Sequence, residues 1–376
     1  MGPLKGVRIV ELAGIGPGPM CAMLLADLGA TVIRIDRKEP VELGSPRPLP
    51  FNLLLRNRRA IALDLKQPAA VDLVLKLVAN SDALIEGYRP GVAERLGLGP
   101  DVCIERNAKL VYGRMTGWGQ DGPLATTAGH DLNYIALTGA LYAIGRKGGP
   151  PTPPLNLLGD YAGGSLYLAM GILAAILEAR QSGEGQVVDA AIVDGTASLM
   201  TAFFGLHAGG IASLERGSNT LDSGAHYYDV YECSDGQWVS VAPIEGRFYA
   251  ELLKILEISP EELGDQRDRN NWTRAKTVLA AKFRCRTRDD WCQLFNGSDA
   301  CFAPVLTMVE APEHPHFAAR GTFIDIDGVK QPAPAPRFSR SVPDKPTGPE
   351  APDGQRALEG WLSEQEISSL QMAGVI

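Results

Sequence analysis

The first third of the chain alternates short β-branched runs with amphipathic stretches. Residues 6–12 (GVRIVEL) read as a strand, Gly14 to Pro19 as a turn, 20–28 (MCAMLLADL) as a helix ended by Gly29, and 31–35 (TVIRI) as a second strand. One βαβ unit of this kind implies a parallel sheet with a right-handed crossover. The alternation continues with strand 60–65, helix 67–80, strand 82–86, a helix over about 91–107 and strand 109–115. It predicts a doubly wound, Rossmann-like α/β domain.

Residues 131–143 read as helical and 145–157 as a Gly- and Pro-rich loop. From Asp160 to about Gln181 the chain is apolar nearly all round, which predicts a central buried helix. Ser182-Gly183-Glu184-Gly185 stops it and strand 186–192 follows. Near 225 the texture changes. Residues 227–233, Ser234-Asp235-Gly236 and 237–242 read as strand, turn, strand, with helices at about 246–256 and 272–284. This predicts a smaller α+β domain. Residues 331–353 are rich in proline and read as a linker, and 361–373 as a short helix.

Composition narrows the function classes. The 376 residues are 45% hydrophobic and 21% charged, the usage of a folded globular chain. A net charge of −8 argues against nucleic acid and against a polybasic membrane surface. The longest apolar stretch, Leu166 to Leu177, is too short to span a bilayer. No signal peptide is expected before the first strand, and Gly374-Val375-Ile376 is no peroxisomal tripeptide. The six cysteines form no C-x-x-C pair and no metal-ligand spacing, which suits reduced thiols in the cytoplasm.

Four constellations carry chemistry. The glycine turn at 14–18 could present helix amides to a phosphate, with Asp36 placed like a ribose-binding acid. Pro19 breaks the full G-x-G-x-x-G, however, and Pro17 and Pro19 remove two amides, which disfavours a nicotinamide site over a tight βα turn. Residues 34–66 hold eight basic residues (Arg34, Arg37, Lys38, Arg47, Arg56, Arg58, Arg59, Lys66) against four acids. In an acidic protein such a cluster points either to an anionic ligand or to a solvated face. His130 stands at a loop-to-helix junction, where active sites collect in doubly wound folds. Asp160 heads the apolar helix. It reads as a simple N-cap, or as a functional acid beside Gly163 and Gly164, which would let a ligand approach the backbone closely.

Read in order, the stretches ELAGIGPGP (11–19), LADLGATVIRIDR (25–37), RNRRAIALDLK (56–66), EGYRPGVAERLGLGP (86–100), GRMTGWGQDGP (113–123), AGHDLNY (128–134), PPLNLLGDYAGGS (153–165), GQVVDAAIVDG (185–195), YYDVYECSDGQWVSVAPIE (227–245), SDACFAPV (298–305) and PAPRFSR (334–340) resemble the class III CoA-transferase superfamily. Within it the resemblance is to the α-methylacyl-CoA racemases, because AGHDLNY supplies a histidine that the transferase relatives lack. It implies an interlocked homodimer, with a large Rossmann-like domain over 1–191 and 334–376, linkers at 192–224 and 316–333, and a small domain over 225–315. It implies catalysis by His130 and Asp160, with Glu245 reaching His130 from the partner subunit. It places Arg37, Leu63, Asp64, Leu65, Lys66, Gly87, Tyr88, Arg89, Arg95, Gly129, Asp131, Leu132, Asn133 and Tyr134 along the CoA ester. Residues 40–50 form a longer loop than these racemases usually have, and Arg47 lies in it.

Inverting an α-carbon needs two acid/base groups on opposite faces, each with a pKa near the working pH. Neutral His130 would take the proton and protonated Asp160 supply one, with roles exchanged for the other enantiomer. The enolate oxygen would then rest on the helix amides after Asp160. CoA belongs to the thioester substrate, so neither a separate cofactor nor a metal is expected. Two other classes remain. In a CoA-transferase Asp160 would act as nucleophile and form a mixed anhydride. A non-catalytic CoA-ester binder would use the basic cluster alone.

Overall fold

The computed structural model describes residues 2–39, 44 and 47–376. Most of the 40–50 loop (40–43, 45 and 46) lies outside the described residues. The chain forms two compact units. The first comprises the stretch up to Thr138, Leu155–Leu199 and Gly321–Ile376, and the second Gly139–Pro154 and Met200–Arg320.

The first unit is built on six parallel strands, β1 (Arg8–Leu12), β2 (Thr31–Arg37), β3 (Arg59–Leu63), β4 (Ala83–Glu86), β5 (Val111–Thr116) and β6 (Gln186–Ala191). Their order is β3-β2-β1-β4-β5-β6, so the winding reverses between β1 and β4. Ligands of open α/β sheets bind beyond the carboxyl ends of the strands at such a reversal. Both faces are covered, as parallel sheets require. Val10, Leu12, Ile33 and Ile35 point to one face, against Leu73, Val74 and Leu77 of the Pro68–Val78 helix and Leu358 and Ile367 from the chain's end. Ile9, Val32 and Ile85 point to the other, against Cys21, Ala22 and Leu25 of the Pro17–Asp27 helix and Leu168 and Ile172 of the Tyr167–Ser182 helix. The two-residue strand period sorts the side chains.

Three expectations change. The apolar helix begins earlier, as a π-helical segment Leu157–Leu166 continuing into Tyr167–Ser182. Together these 26 residues are long and apolar enough to cross a membrane, but Leu168, Ile172, Ala175, Ile176 and Ala179 are buried in the protein core. The helix is not buried all round, because Leu166, Met170 and Leu177 are 52%, 60% and 62% exposed. The proline-rich segment is tied to the first unit and is no free linker. Arg56 donates to Gln331 and Pro332, the Asn57 N–H to the Thr347 carbonyl and the Asp353 N–H to the Ala60 carbonyl. Proline cannot donate, so the arginine and the β3 edge supply the bonds.

The domain boundaries also differ from the expected ones. Residues 192–208 fold into helices Ile192–Leu199 and Thr201–Ala208, one in each unit. The 139–154 segment joins the second unit through Arg146, paired with Asp229, and through Arg216, which donates to the carbonyls of Tyr142 and Gly149. Gly139 (φ +84°) ends the helix expected to run to 143.

The second unit carries an antiparallel sheet of β7 (Asp229–Glu232), β8 (Trp238–Val241) and β9 (Phe302–Pro304). Tyr231, Val239, Leu252, Trp272, Phe283 and Trp291 form its core with the helices Gly246–Leu256, Arg269–Phe283 and Arg288–Phe295.

Candidate active site

The site begins where β1 ends. The chain turns at Gly14–Gly16 and enters the Pro17–Asp27 helix. Gly16 has φ +63°, and a Cβ there would stand 3.1 Å from Asp160 Oδ2. The turn therefore makes room for a carboxyl group rather than for a pyrophosphate.

Asp160 lies inside the π-helical segment and is not its N-cap, a position held by Asn156. Ser165 Oγ donates to the Pro17 carbonyl at 2.8 Å and to the Asp160 carbonyl at 3.0 Å, tying the segment to the glycine turn. Gly163 and Gly164 serve packing. A Cβ at Gly163 would meet Thr196 Oγ1 at 2.4 Å, and one at Gly164 would stand 3.1 Å from Ile192 and Pro17. Of the amides after Asp160 expected to hold an enolate, the first, that of Tyr161, is already engaged, and so is the N–H of Asp160 itself. The Asp160 N–H donates to Asp131 Oδ1 at 2.6 Å and the Tyr161 N–H to the Asn156 carbonyl at 3.3 Å. Burial raises the Asp160 carboxyl above the usual range and the Asp131 charge adds to this, against a hydrogen bond from Asn156 Nδ2 (3.2 Å) and the charge of His130. Its neutral form is thus favoured toward working pH.

His130 is the N-cap of the Asp131–Leu137 helix, with its side chain exposed. Its neighbours in AGHDLNY act largely as scaffold. Asn133 Oδ1 accepts the His130 N–H at 3.1 Å. The Tyr134 hydroxyl donates to the Gly129 carbonyl, and its ring lies edge-on to Trp118 with centroids 4.8 Å apart. A Cβ at Gly129 would stand 2.7 Å from Tyr134, and one at Gly117 2.0 Å, so both glycines admit that ring. Leu132 is exposed and Asp131 is buried.

The basic cluster separates. Arg34 grips Asp36 through two bonds of 2.7 and 2.8 Å, Arg56 pairs with Asp27, and Arg58 donates to Glu11 at 2.7 Å and to the Pro19 carbonyl at 3.1 Å. All three are buried, so they belong to the fold and not to an open anion site. Arg59 opens β3 and bonds Glu359 at the other edge of the sheet. Arg37, Lys38, Arg47 and Lys66 remain exposed, with Arg37 and Lys66 at the carboxyl ends of β2 and β3 and the Arg37 guanidinium 5.5 Å from the Tyr88 ring. Leu63 and Leu65 point into the core, and Asp64 accepts the Lys66 N–H at 3.1 Å. Arg89 and Arg95 are exposed after β4. Glu245 is exposed at the N-cap of the Gly246–Leu256 helix, in the second unit.

Two functional supports escaped the sequence reading. Glu86 ends β4 fully buried, accepts the Tyr88 N–H at 2.6 Å and Arg114 Nε at 3.0 Å, and so shapes the Gly87–Arg89 turn. Burial lifts its carboxyl to about 7. Glu11 anchors Arg58 beneath the glycine turn. The signal for both was an acid inside a run of strand-forming apolar residues. His226 is buried with Nε2 2.7 Å from the Tyr249 hydroxyl, and burial lowers it to about 4, a neutral core histidine. Among the described residues no three His, Cys, Asp or Glu side chains converge as metal ligands.

The arrangement offers a histidine and a carboxyl held toward its neutral form on two adjoining segments, with exposed cations after β2, β3 and β4. Known proteins share its framework. The alpha-methylacyl-CoA racemase of Mus musculus is 44% identical over 99% of this chain and 97% of its own, and that of Homo sapiens 43% identical over 89% and 86%. The crystal structure of a CaiB/BaiF family protein from Brucella suis superposes with a TM-score of 0.81 at 26% identity, over 97% of this chain and 99% of its own. The profile of CoA-transferase family III matches residues 4–356, and with relatives this similar along nearly the whole length the chain belongs to that family.

Proposed function

We propose that this protein is an isomerase that interconverts the (2R) and (2S) forms of 2-methylacyl-CoA thioesters. The observation that carries the proposal is the pairing of His130 with an Asp160 whose carboxyl burial and Asp131 hold toward the neutral form. The long match to two racemases supports it. His130 takes the α-proton on one face while Asp160 delivers a proton on the other, and the roles exchange for the opposite enantiomer. Because the amides of Asp160 and Tyr161 are engaged, the enolate oxygen takes its donors elsewhere. The open first turn of the His130 helix suits it, since there the Asn133 and Tyr134 N–H groups return to the His130 carbonyl and leave the two before them.

CoA enters as part of the substrate, so no separate cofactor or metal is used. Arg37, Lys66, Arg89 and Arg95 are the exposed cations for its phosphates, with the backbone of 63–66 alongside. Glu245 of the partner subunit orients His130 in an interlocked homodimer. The exposed Leu166, Met170 and Leu177 on one helix support burial against a second copy. Six unpaired thiols suit the cytoplasm.

The test is proton exchange in deuterated water with a single enantiomer of a 2-methylacyl-CoA. Wild type should invert the centre and incorporate deuterium, and His130→Ala should lose at least about a hundredfold in rate. Transfer of CoA to a free carboxylic acid without exchange would instead make Asp160 the nucleophile of a transferase.

A further inference from the structure

Asp131 is only 7% exposed, and it serves the segment that carries Asp160. Its Oδ1 accepts the N–H of Asp160 at 2.6 Å, and the Gly159 N–H also stabilises the carboxylate. The fit is close, because a Cβ at Gly159 would stand 2.3 Å from that oxygen. Its Oδ2 is buried and has no hydrogen-bond partner. As a cap alone this is a poor choice. An asparagine would accept the same N–H groups through its carbonyl oxygen, with no charge to desolvate. Burial raises the Asp131 carboxyl above its ordinary value, against the hydrogen bonds of the Asp160 and Gly159 N–H groups, so an acid kept here at that cost calls for a role.

Few other charges face Asp160. His130 and Tyr134 come from the same helix as Asp131, and Asn156 from the Asp160 segment itself. The glycine turn brings only Gly16. The Ile192–Leu199 helix packs Ile192 and Thr196 against Gly164 and Gly163, while its Asp194 acts on Asp189 of β6. From β5, Met115 touches Gly164 and Arg114 turns to Glu86 and Glu94. Arg89, after β4, acts on Tyr134.

We propose that Asp131 is a positioning residue, which fixes the Asp160 main chain through its Oδ1 and sets a second carboxyl group beside the Asp160 acid. The inference deepens the racemase reading and rests on it for its catalytic meaning. The Asp160 segment is held by backbone bonds while its acid is tuned by a neighbouring carboxylate that does not touch substrate.

The test uses the full chain labelled with carboxyl-13C aspartate. The resonance lost in Asp160→Asn assigns that group. In Asp131→Asn, which keeps the acceptor and removes the charge, the Asp160 midpoint should fall by about one pH unit. Asp131→Glu, which keeps the charge and displaces the oxygen, should retain a high midpoint while kcat drops. In the exchange assay the acid limb of kcat/KM marks protonation of both His130 and Asp160, so it should move to lower pH in Asp131→Asn with KM unchanged. A midpoint equal to that of wild type in Asp131→Asn would overturn the inference and leave Asp131 a structural cap. Absence of exchange in wild type would strike the racemase reading instead, and the carboxyl titration would still decide the role of Asp131.

Discussion

The eight basic residues between 34 and 66 look alike in the sequence and have two different fates. Arg34, Arg56 and Arg58 are at most 4% exposed, and each is bound to an acid inside the first unit. Arg37, Lys38, Arg47, Arg59 and Lys66 are exposed. Position along a strand divides them again. Arg37 and Lys66 follow the carboxyl ends of β2 and β3, the edge where such sheets bind ligands, while Arg59 opens β3 at the opposite edge. A local excess of charge thus says little about binding until the acids that neutralise it are located.

The largest effect expected from breaking this division is on stability. Arg58→Ala would leave Glu11 charged and unpaired in the core. It should cost about 3–5 kcal/mol in urea unfolding, whereas replacing both Glu11 and Arg58 by Met should return most of the loss. Burial pushes the Glu11 carboxyl up and the Arg58 guanidinium down, each opposed by the other's charge. A double variant as unstable as the single one would show that the pair itself contributes.

Glu86, a buried acid at the carboxyl end of β4, gives the next effect. Its folded pKa, about 7, lies above its ordinary value of 4.5. The folded state therefore binds the proton more tightly than the unfolded state, and stability falls as pH rises from about 4.5 to 7 and stays lowered above. Glu86→Gln, which carries no charge in that window, should flatten the profile, with a gain over wild type that grows from about 1 kcal/mol at pH 5 to about 3 kcal/mol at pH 7 and above. Parallel profiles for the two proteins would mean that Arg114 keeps Glu86 ionised throughout.

Much of the sheet was legible because its strands obey one pattern, apolar and β-branched with glycine or proline at the turns. The strands at 31–35, 60–65 and 82–86 lie within a residue or two of Thr31–Arg37, Arg59–Leu63 and Ala83–Glu86. What was not legible depends on partners distant in sequence. Nothing local to Arg56 points to Gln331, and nothing local to Gly163 points to Thr196. The π-helical segment fails for the same reason, since an i→i+5 bond such as Tyr161 to Asn156 is imposed by packing rather than by propensity. His130 and Asp160 stood out as polar residues at element starts, but the link between their segments, an Asp131 oxygen on the Asp160 N–H, appears only in three dimensions.

The finest test compares two arginines on one strand. Arg34 and Arg37 lie three residues apart on β2, so their side chains leave opposite faces of the sheet. Arg34 is closed off by Asp36 and lies close to Glu11. Arg37 is exposed beside Tyr88, on the turn that Glu86 shapes. Removing an exposed cation that meets a CoA phosphate forfeits one charge-assisted hydrogen bond, so Arg37→Ala should raise KM for the thioester about tenfold, with kcat and Tm little changed. The effect should shrink as salt is raised, because an exposed pair is screened. Arg34→Ala should do the reverse, lowering Tm while the surviving folded enzyme keeps its KM. Equal KM values for Arg37→Ala and wild type at low salt would remove Arg37 from the ligand edge and leave Lys66, Arg89 and Arg95 to meet the phosphates.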